Sequence, residues 1–397
     1  MALPGRLGRT VPLLLLLCAE AAPAAETNEP GVTGDRVAFA QSGCFSGACR
    51  AAGLRYHAGI RAAFHERNTA GGVRGRTLRL KSRDDAYDPV TAAANAERFA
   101  ADRDVFAVIG GLGTPTALRM APVLRRARVP FVGILSGAGF LRDRARFPNV
   151  VNLRTGYAEE ARRLVAHMHG RRGARRFGVI YQDDAFGYSV LANYREALKA
   201  LGLPVLAKAS YSWHTHTIHG TLFVLEKADL DVVLMAATTS NVADAIDAAR
   251  TFGHDFAFGM LSIVDLERIA GRLKSRFGPA VSTRVLPDVR DAGNALVKRF
   301  RSALAAWRAA APEAAAIADA WSLEGYILGR FVIAVLERMP GAPNREGFLE
   351  TALASGPFLI DGWKIAFADG RNAGSDYVRL VEFAPARAGD ETGKAVD

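Results

Sequence analysis

Glycines 111 and 113, threonines 114 and 116 and the proline between them form the cluster Gly111-Leu112-Gly113-Thr114-Pro115-Thr116, set between an apolar run and a helix-like stretch. A glycine-rich turn of this kind holds phosphate in nucleotide-binding proteins. A dinucleotide fingerprint, however, needs a third glycine and an acid some ~20 residues on to take the ribose hydroxyls. Thr116 stands in the place of that glycine, and Phe131 to Leu135 carries no acid. A Walker loop needs a lysine after its last glycine, and none follows. What remains is a helix start. Thr114 reads as the N-cap, Pro115 as the first helical residue and Ala117 as a third position without the glutamate of a capping box. Amides left free there, with the helix dipole behind them, favour a carboxylate or other anion, or are satisfied by water as at an ordinary helix start. The next strand also ends in small polar residues, Ser136-Gly137-Ala138, so two neighbouring strands offer hydroxyls and backbone at one edge.

Other reactive side chains are weighed in the same way. In Trp213-His214-Thr215-His216-Thr217-Ile218-His219, His214 and His216 would share a face of a strand, but no acid or cysteine stands beside them, so the segment reads as a polar surface loop and no metal is expected. His167 and His169 suit the end of a helix dipole. Asp84, Asp85 and Asp88, and Asp183 with Asp184, sit at strand-to-helix turns where acids cap helices. There is no Gly-x-Ser-x-Gly elbow, so no catalytic residue is assigned. Cys44 and Cys49 are close in sequence. In an oxidising compartment they can pair, or they are two small buried side chains in a turn, and spacing leaves both open.

The formal net charge of +11 comes mainly from scattered arginines without basic-aromatic interleaving, which argues against a nucleic-acid partner. With 397 residues, half of them apolar, two cores are expected. Arg6 and Arg9, the apolar run Val11 to Cys18 and the small residues Ala21 to Ala25 have the layout of a cleavable signal peptide over residues 1–25, which implies export. From residue 36, short apolar runs alternate with helix-length segments. Strands are expected at 36–40, 77–80, 105–110 and 129–134, with helices at 50–69, 89–101 and 115–127. A second series has strands at 177–181, 205–209, 231–236 and 256–259 and helices at 157–169, 187–201, 240–252 and 264–274. The fold class is therefore α/β, with two similar lobes around parallel sheets. Beyond strand-like 281–286, helices are expected at 291–310, 314–338 and 345–353 and strands at 360–367 and 377–383, with residues 386–397 frayed.

The order of Gln41-Ser42-Gly43, Asn68-Thr69-Ala70-Gly71-Gly72, Asp84-Asp85-Ala86-Tyr87-Asp88-Pro89, the Gly-Thr-Pro-Thr turn, Ser136-Gly137-Ala138, Asp183-Asp184-Ala185-Phe186-Gly187 and Ser322-Leu323-Glu324-Gly325-Tyr326 resembles the branched-chain-amino-acid type of periplasmic binding protein. That resemblance implies two Rossmann-like lobes, residues 33–154 with 286–368 and residues 155–285 with 369–385, joined by three crossovers near Arg154, Val285 and Asp369. It implies no enzymatic activity and no cofactor. A small ligand with a carboxylate is expected in the cleft, handed to the membrane permease of an ABC importer by a monomer. A sensing role beside a membrane kinase or chemoreceptor is the alternative, and an exported hydrolase the third. By the same resemblance Ser46, Thr114, Thr116, Ser136, Gly137 and Ala138 bind ligand from the first lobe, and Phe186, Thr238 and Ser262 face it from the second. Two departures stand out. No acid lies in Met260 to Ile263 to meet a ligand ammonium group, and the Cys44–Cys49 loop replaces an apolar residue and a proline.

Overall fold

The computed structural model describes residues 28–213, 218–275, 278–314, 316–368, 370–383 and 394–396. The expected signal segment, His214 and His216, and the third crossover at Asp369 lie outside them.

The first sheet is built from β1 (Arg36–Gly43), β2 (Thr77–Asp84), β3 (Ala107–Ile109), β4 (Phe131–Val132) and β5 (Val150–Val151), all parallel in the order β2-β1-β3-β4-β5. Helices α1 (Arg50–Thr69), α2 (Pro89–Ala101) and α3 (Thr114–Arg126) connect its strands. The chain then passes to α4 (Tyr157–Arg172) and a second α/β series: β6 (Phe177–Gln182), α5 (Ala185–Lys199), β7 (Val205–Tyr211), α6 (His219–Leu225), β8 (Val232–Ala236), α7 (Thr239–Thr251), β9 (Ala257–Met260), α8 (Leu266–Ala270) and β10 (Ala280–Arg284). It returns to the first sheet's side as α9 (Ala295–Ala310), α10 (Ala320–Arg338), α11 (Arg345–Ala354) and the hairpin β11 (Phe358–Ile360) and β12 (Trp363–Ile365). Finally β13 (Arg379–Phe383) and β14 (Lys394–Val396) add antiparallel strands to the second sheet, whose order is β14-β13-β10-β9-β8-β6-β7. This is an α/β fold with two mostly parallel sheets.

Small residues let α10 lie against α1. A Cβ on Gly59 would come within 2.0 Å of the Ser322 carbonyl, and one on Gly325 within 2.0 Å of the Tyr56 carbonyl, so the two helix backbones touch only because neither residue has a side chain. That contact fixes returning chain onto the first sheet and sets Trp321 and Glu324 at its upper edge.

In each sheet the strand order reverses beside the first strand of its series, between β1 and β3 and between β6 and β8. Ligands in open α/β sheets bind outside the carboxyl ends of strands at such switch points. Here both switch points open toward the same cleft.

Several elements differ from expectation for physical reasons. The 360–367 segment is a tight hairpin, because Asp361 and Gly362 both adopt positive φ (49° and 90°), as a two-residue hairpin turn requires. The segment at 264–274 is helical only over α8, and β5 adds a strand that alternation did not predict. Residues 394–396, expected to fray, instead pair with β13 through Leu380, Val381 and Glu382.

Candidate ligand cleft

The first wall grows out of the end of β3. Gly110 and Gly113 have φ of 69° and 101°, and the turn between them aims α3 at the cleft. The expected cap shifts by one residue. Gly113, rather than Thr114, is the N-cap, because its positive φ is one that threonine rarely adopts. A Cβ there would also meet the Tyr87 ring at 2.4 Å. No side chain caps the helix, and the amides of Thr114 and Thr116 have no hydrogen-bond partner among the described residues. Released from capping, the Thr114 hydroxyl pairs with the Ser136 hydroxyl at 2.8 Å, and Ser136 in turn accepts from the Ala138 amide at 3.3 Å. Thr116 differs: its hydroxyl donates to the carbonyls of Leu112 and Gly113, so it braces the turn.

The second wall is set by α5 and α7. Asp184 caps α5 by accepting from the amides of Phe186 and Gly187, which brings the Phe186 ring edge-on to Tyr157 at 5.8 Å. Burial pushes the Asp184 carboxyl upward, against the hydrogen bonds from Gln182 and those two amides. Thr238 stands at the N-cap position of α7 without capping a backbone amide, and its hydroxyl accepts from the Asn241 side chain at 2.9 Å, while the Thr239 hydroxyl accepts from the Asp265 amide and so ties α7 to α8. Between the walls lies a cavity of about 410 Å³. Its lining includes Thr114, Phe186 and Thr238, but also Asp244, Arg268 and Arg272, three charges that sequence patterns did not single out. Tyr87, Tyr157 and Trp321 give it an aromatic frame.

Of the other expected residues, Ser136, Gly137 and Ala138 lie behind Thr114, and a Cβ at Gly137 would run into the Tyr157 ring at 2.3 Å. Ser46 sits exposed on the Cys44–Cys49 loop, where its hydroxyl bonds to Asp84. Burial works against the Asp84 carboxylate, yet bonds from Ser46 and the Ala86 and Phe45 amides hold its pKa below the ordinary value. The structure joins Cys44 and Cys49 in a disulfide, and Cys49 lines the cavity at the start of α1. Asp85 is buried and pushed up to about 6 by desolvation, against hydrogen bonds from Ser42 and the Tyr87 amide. Asp88 caps α2 through Thr91.

The two lobes already touch across the cleft. The Tyr87 ring meets Trp213 edge-on at 5.1 Å, and Gln182 donates to the Tyr87 hydroxyl. Arg55 pairs with Asp319 at 2.6 Å and faces Asp265 at 3.5 Å. At the first crossover, buried Arg154 donates to the Ser262 hydroxyl at 2.6 Å and lies 3.6 Å from Glu324 and 3.9 Å from Glu160. Glu160 also accepts from the Ser262 amide and the Thr283 hydroxyl. Ser262, expected to face the ligand, thus serves the crossover and lines a second cavity of about 410 Å³, which shares Arg268 and Trp321 with the first.

A cleft of this kind, between two doubly wound sheets and with no elbow nucleophile, has counterparts. Residues 37–385 match the family model described as a periplasmic binding protein. The chain belongs to that family. Its members are substrate-binding proteins rather than enzymes, and the family is periplasmic. This binding protein is 27% identical over 219 residues to Leu/Ile/Val-binding protein homolog 7 of Brucella abortus (strain 2308), covering 53% of this chain and 54% of that one; the chain spans about half the length of the curated relatives it matches. Among solved structures, it is similar to a possible leucine/isoleucine/valine-binding protein from Rhodopirellula baltica, with a TM-score of 0.81, 26% identity, and 91% and 96% of the two chains covered. It is also similar to a substrate-binding periplasmic protein from Ralstonia solanacearum, with a TM-score of 0.79, 26% identity and coverage of 88% and 98%.

In this binding protein the missing acid of Met260 to Ile263 does not leave the cleft without one, because Asp244 of α7 lines it. Among the described residues no cluster of three metal-ligating side chains occurs. No described helix is long and apolar enough to cross a membrane.

Proposed function

We propose that the chain is an exported receptor that captures a small organic ligand through a carboxylate, closes over it by hinge motion and presents it to the permease of an ABC importer. The start of α3 carries this reading. Its uncapped amides, the positive end of its dipole and the Thr114 hydroxyl form one wall of the cavity, and all three favour an anionic oxygen. Ser136 supports Thr114 from behind, so the pair works as one element. Arg154, bonded to both sides of the crossover, is the pivot, and the Tyr87 and Arg55 contacts belong to the closed form. A ligand favours that form only by the contacts it gains there.

The ligand class follows from the lining: apolar and aromatic groups around a few polar ones suit an amino acid, a carboxylate or an amide with an apolar body. A thermal-shift screen of such compounds finds the ligand, since binding raises apparent stability by mass action. With that ligand, Thr114→Ala combined with Ser136→Ala is expected to weaken binding by roughly 10- to 100-fold, the value of hydrogen bonds to a charged acceptor, at an unchanged melting temperature of the free protein. Unchanged affinity by calorimetry would sink the assignment of this wall.

A further inference from the structure

The cations around the cleft are not equivalent. Arg55 is held by Asp319, Arg154 by Glu324 and Ser262, and Arg290 by Asp288. Arg268 is held by none: its backbone amide bonds to Asp265, but its guanidinium has no partner among the described residues, although it is only partly exposed and lines both cavities. Asp244 and Arg272 line the first cavity as well, with opposite signs. Arg268 is therefore the surplus charge of the second wall. It stands on the lobe opposite the α3 start, beside Trp321, at the junction where one cavity meets the other.

The size of the space points the same way. At ~30 Å³ for each water-sized group, about 410 Å³ holds on the order of a dozen non-hydrogen atoms, more than a branched-chain amino acid supplies. Leu112, Leu135, Ile263, Phe186 and Tyr157 also line that space and offer no charge. The α3 start thus suits an anion, the uncharged lining suits an apolar body, and the opposite lobe presents an unpaired guanidinium whose forked donors match a carboxylate.

Resting on the carboxylate reading above, we propose that the preferred ligand is an elongated dianion, a dicarboxylate with an apolar or aromatic middle, whose second carboxylate is held by Arg268. Arg268 is then the residue that sets specificity, while the α3 start sets affinity for carboxylates in general. Closure of the cleft brings the two anchors onto one molecule, so the diacid is also the better closing ligand.

Matched pairs test this by calorimetry on the full chain: hexanoate against adipate, and phenylacetate against 1,4-phenylenediacetate. Each diacid is expected to bind about ten-fold tighter than its monoacid, as a charge-assisted pair would give. In Arg268→Gln that ratio falls toward one, and in Arg268→Lys part of it returns, because the charge is kept and the fork is lost. Circular dichroism and the melting temperature show that the variants fold. Equal binding of monoacid and diacid, or an equal loss for both in Arg268→Gln, overturns the proposal and leaves the α3 wall standing. Binding of neither class overturns the carboxylate reading itself, and the proposal with it.

Discussion

The two walls of the cleft are made differently. On the first, the polar groups that line the cavity are backbone amides and a short hydroxyl, fixed by a glycine cap and a buried Thr114–Ser136 pair. On the second they are Asp244, Arg268 and Arg272, long or charged side chains with no ion-pair partner among the described residues, carried on α7 and the segment around α8. A preorganised backbone wall loses little entropy on binding and recognises a chemical group common to many ligands. A wall of unpaired charges is cheap to vary and discriminates between ligands, since a wrong ligand leaves a charge without its partner. On the reading proposed above, general capture and selection fall to different lobes.

Arg154 keeps the two walls in register, and its removal is expected to have the largest effect. It is buried, and it lies against Glu160 of α4, Ser262 just beyond β9 and Glu324 of α10. Arg154→Met leaves two buried carboxylates uncompensated, which costs roughly 3–5 kcal/mol. Burial already raises the Glu324 pKa and Arg154 opposes that rise, so the variant's Glu324 takes up its proton at higher pH. Adding Glu324→Gln is therefore expected to restore part of the lost stability in a double-mutant cycle. Strict additivity in urea unfolding would mean that the crossover does not couple the lobes through this pair.

A smaller effect separates the walls by pH. On the first lobe, Asp85 is pushed up to about 6 by burial, whereas an exposed aspartate lies near 4. The folded state then holds this proton more tightly than the unfolded chain does. Its contribution to stability is complete below about 4 and is lost as pH rises through about 6, a span of roughly 2–3 kcal/mol at 1.36 kcal/mol per unit. Asp85→Asn, which can still accept from Ser42 or the Tyr87 amide, is expected to flatten this part of the calorimetric profile and to melt higher than the parent near pH 7. An unaltered slope between pH 4 and 6 would assign the titration to another group.

The same contrast explains what sequence could show. Alternating apolar runs revealed both α/β series, because the central strands β1, β3, β8 and β9 are buried on both faces, while the edge strands β2 and β7 keep one face exposed. The α3 turn was legible because glycine, threonine and proline have fixed conformational meanings, although the cap fell one residue early: Gly113 takes a backbone angle that no pattern of side chains displays. The Asp361–Gly362 hairpin also carried a signal, the Asp-Gly pair. Asp244 and Arg268 carried none. One is a mid-helix acid, the other one of 51 lysines and arginines, and only the fold brings them to the cleft.

The smallest expected effect probes whether the first wall is as unselective as this division requires. The Cys44–Cys49 disulfide closes a loop whose ends are five residues apart, and Cys49 both precedes α1 and lines the cavity. Replacing both cysteines by alanine frees that loop, and ordering it on binding is expected to weaken affinity by about two- to ten-fold. The loop belongs to the first lobe and Arg268 to the second, so the loss should be the same for adipate and hexanoate. A change in the ratio between them would place selection in this loop, and the separation of roles between the lobes would fail.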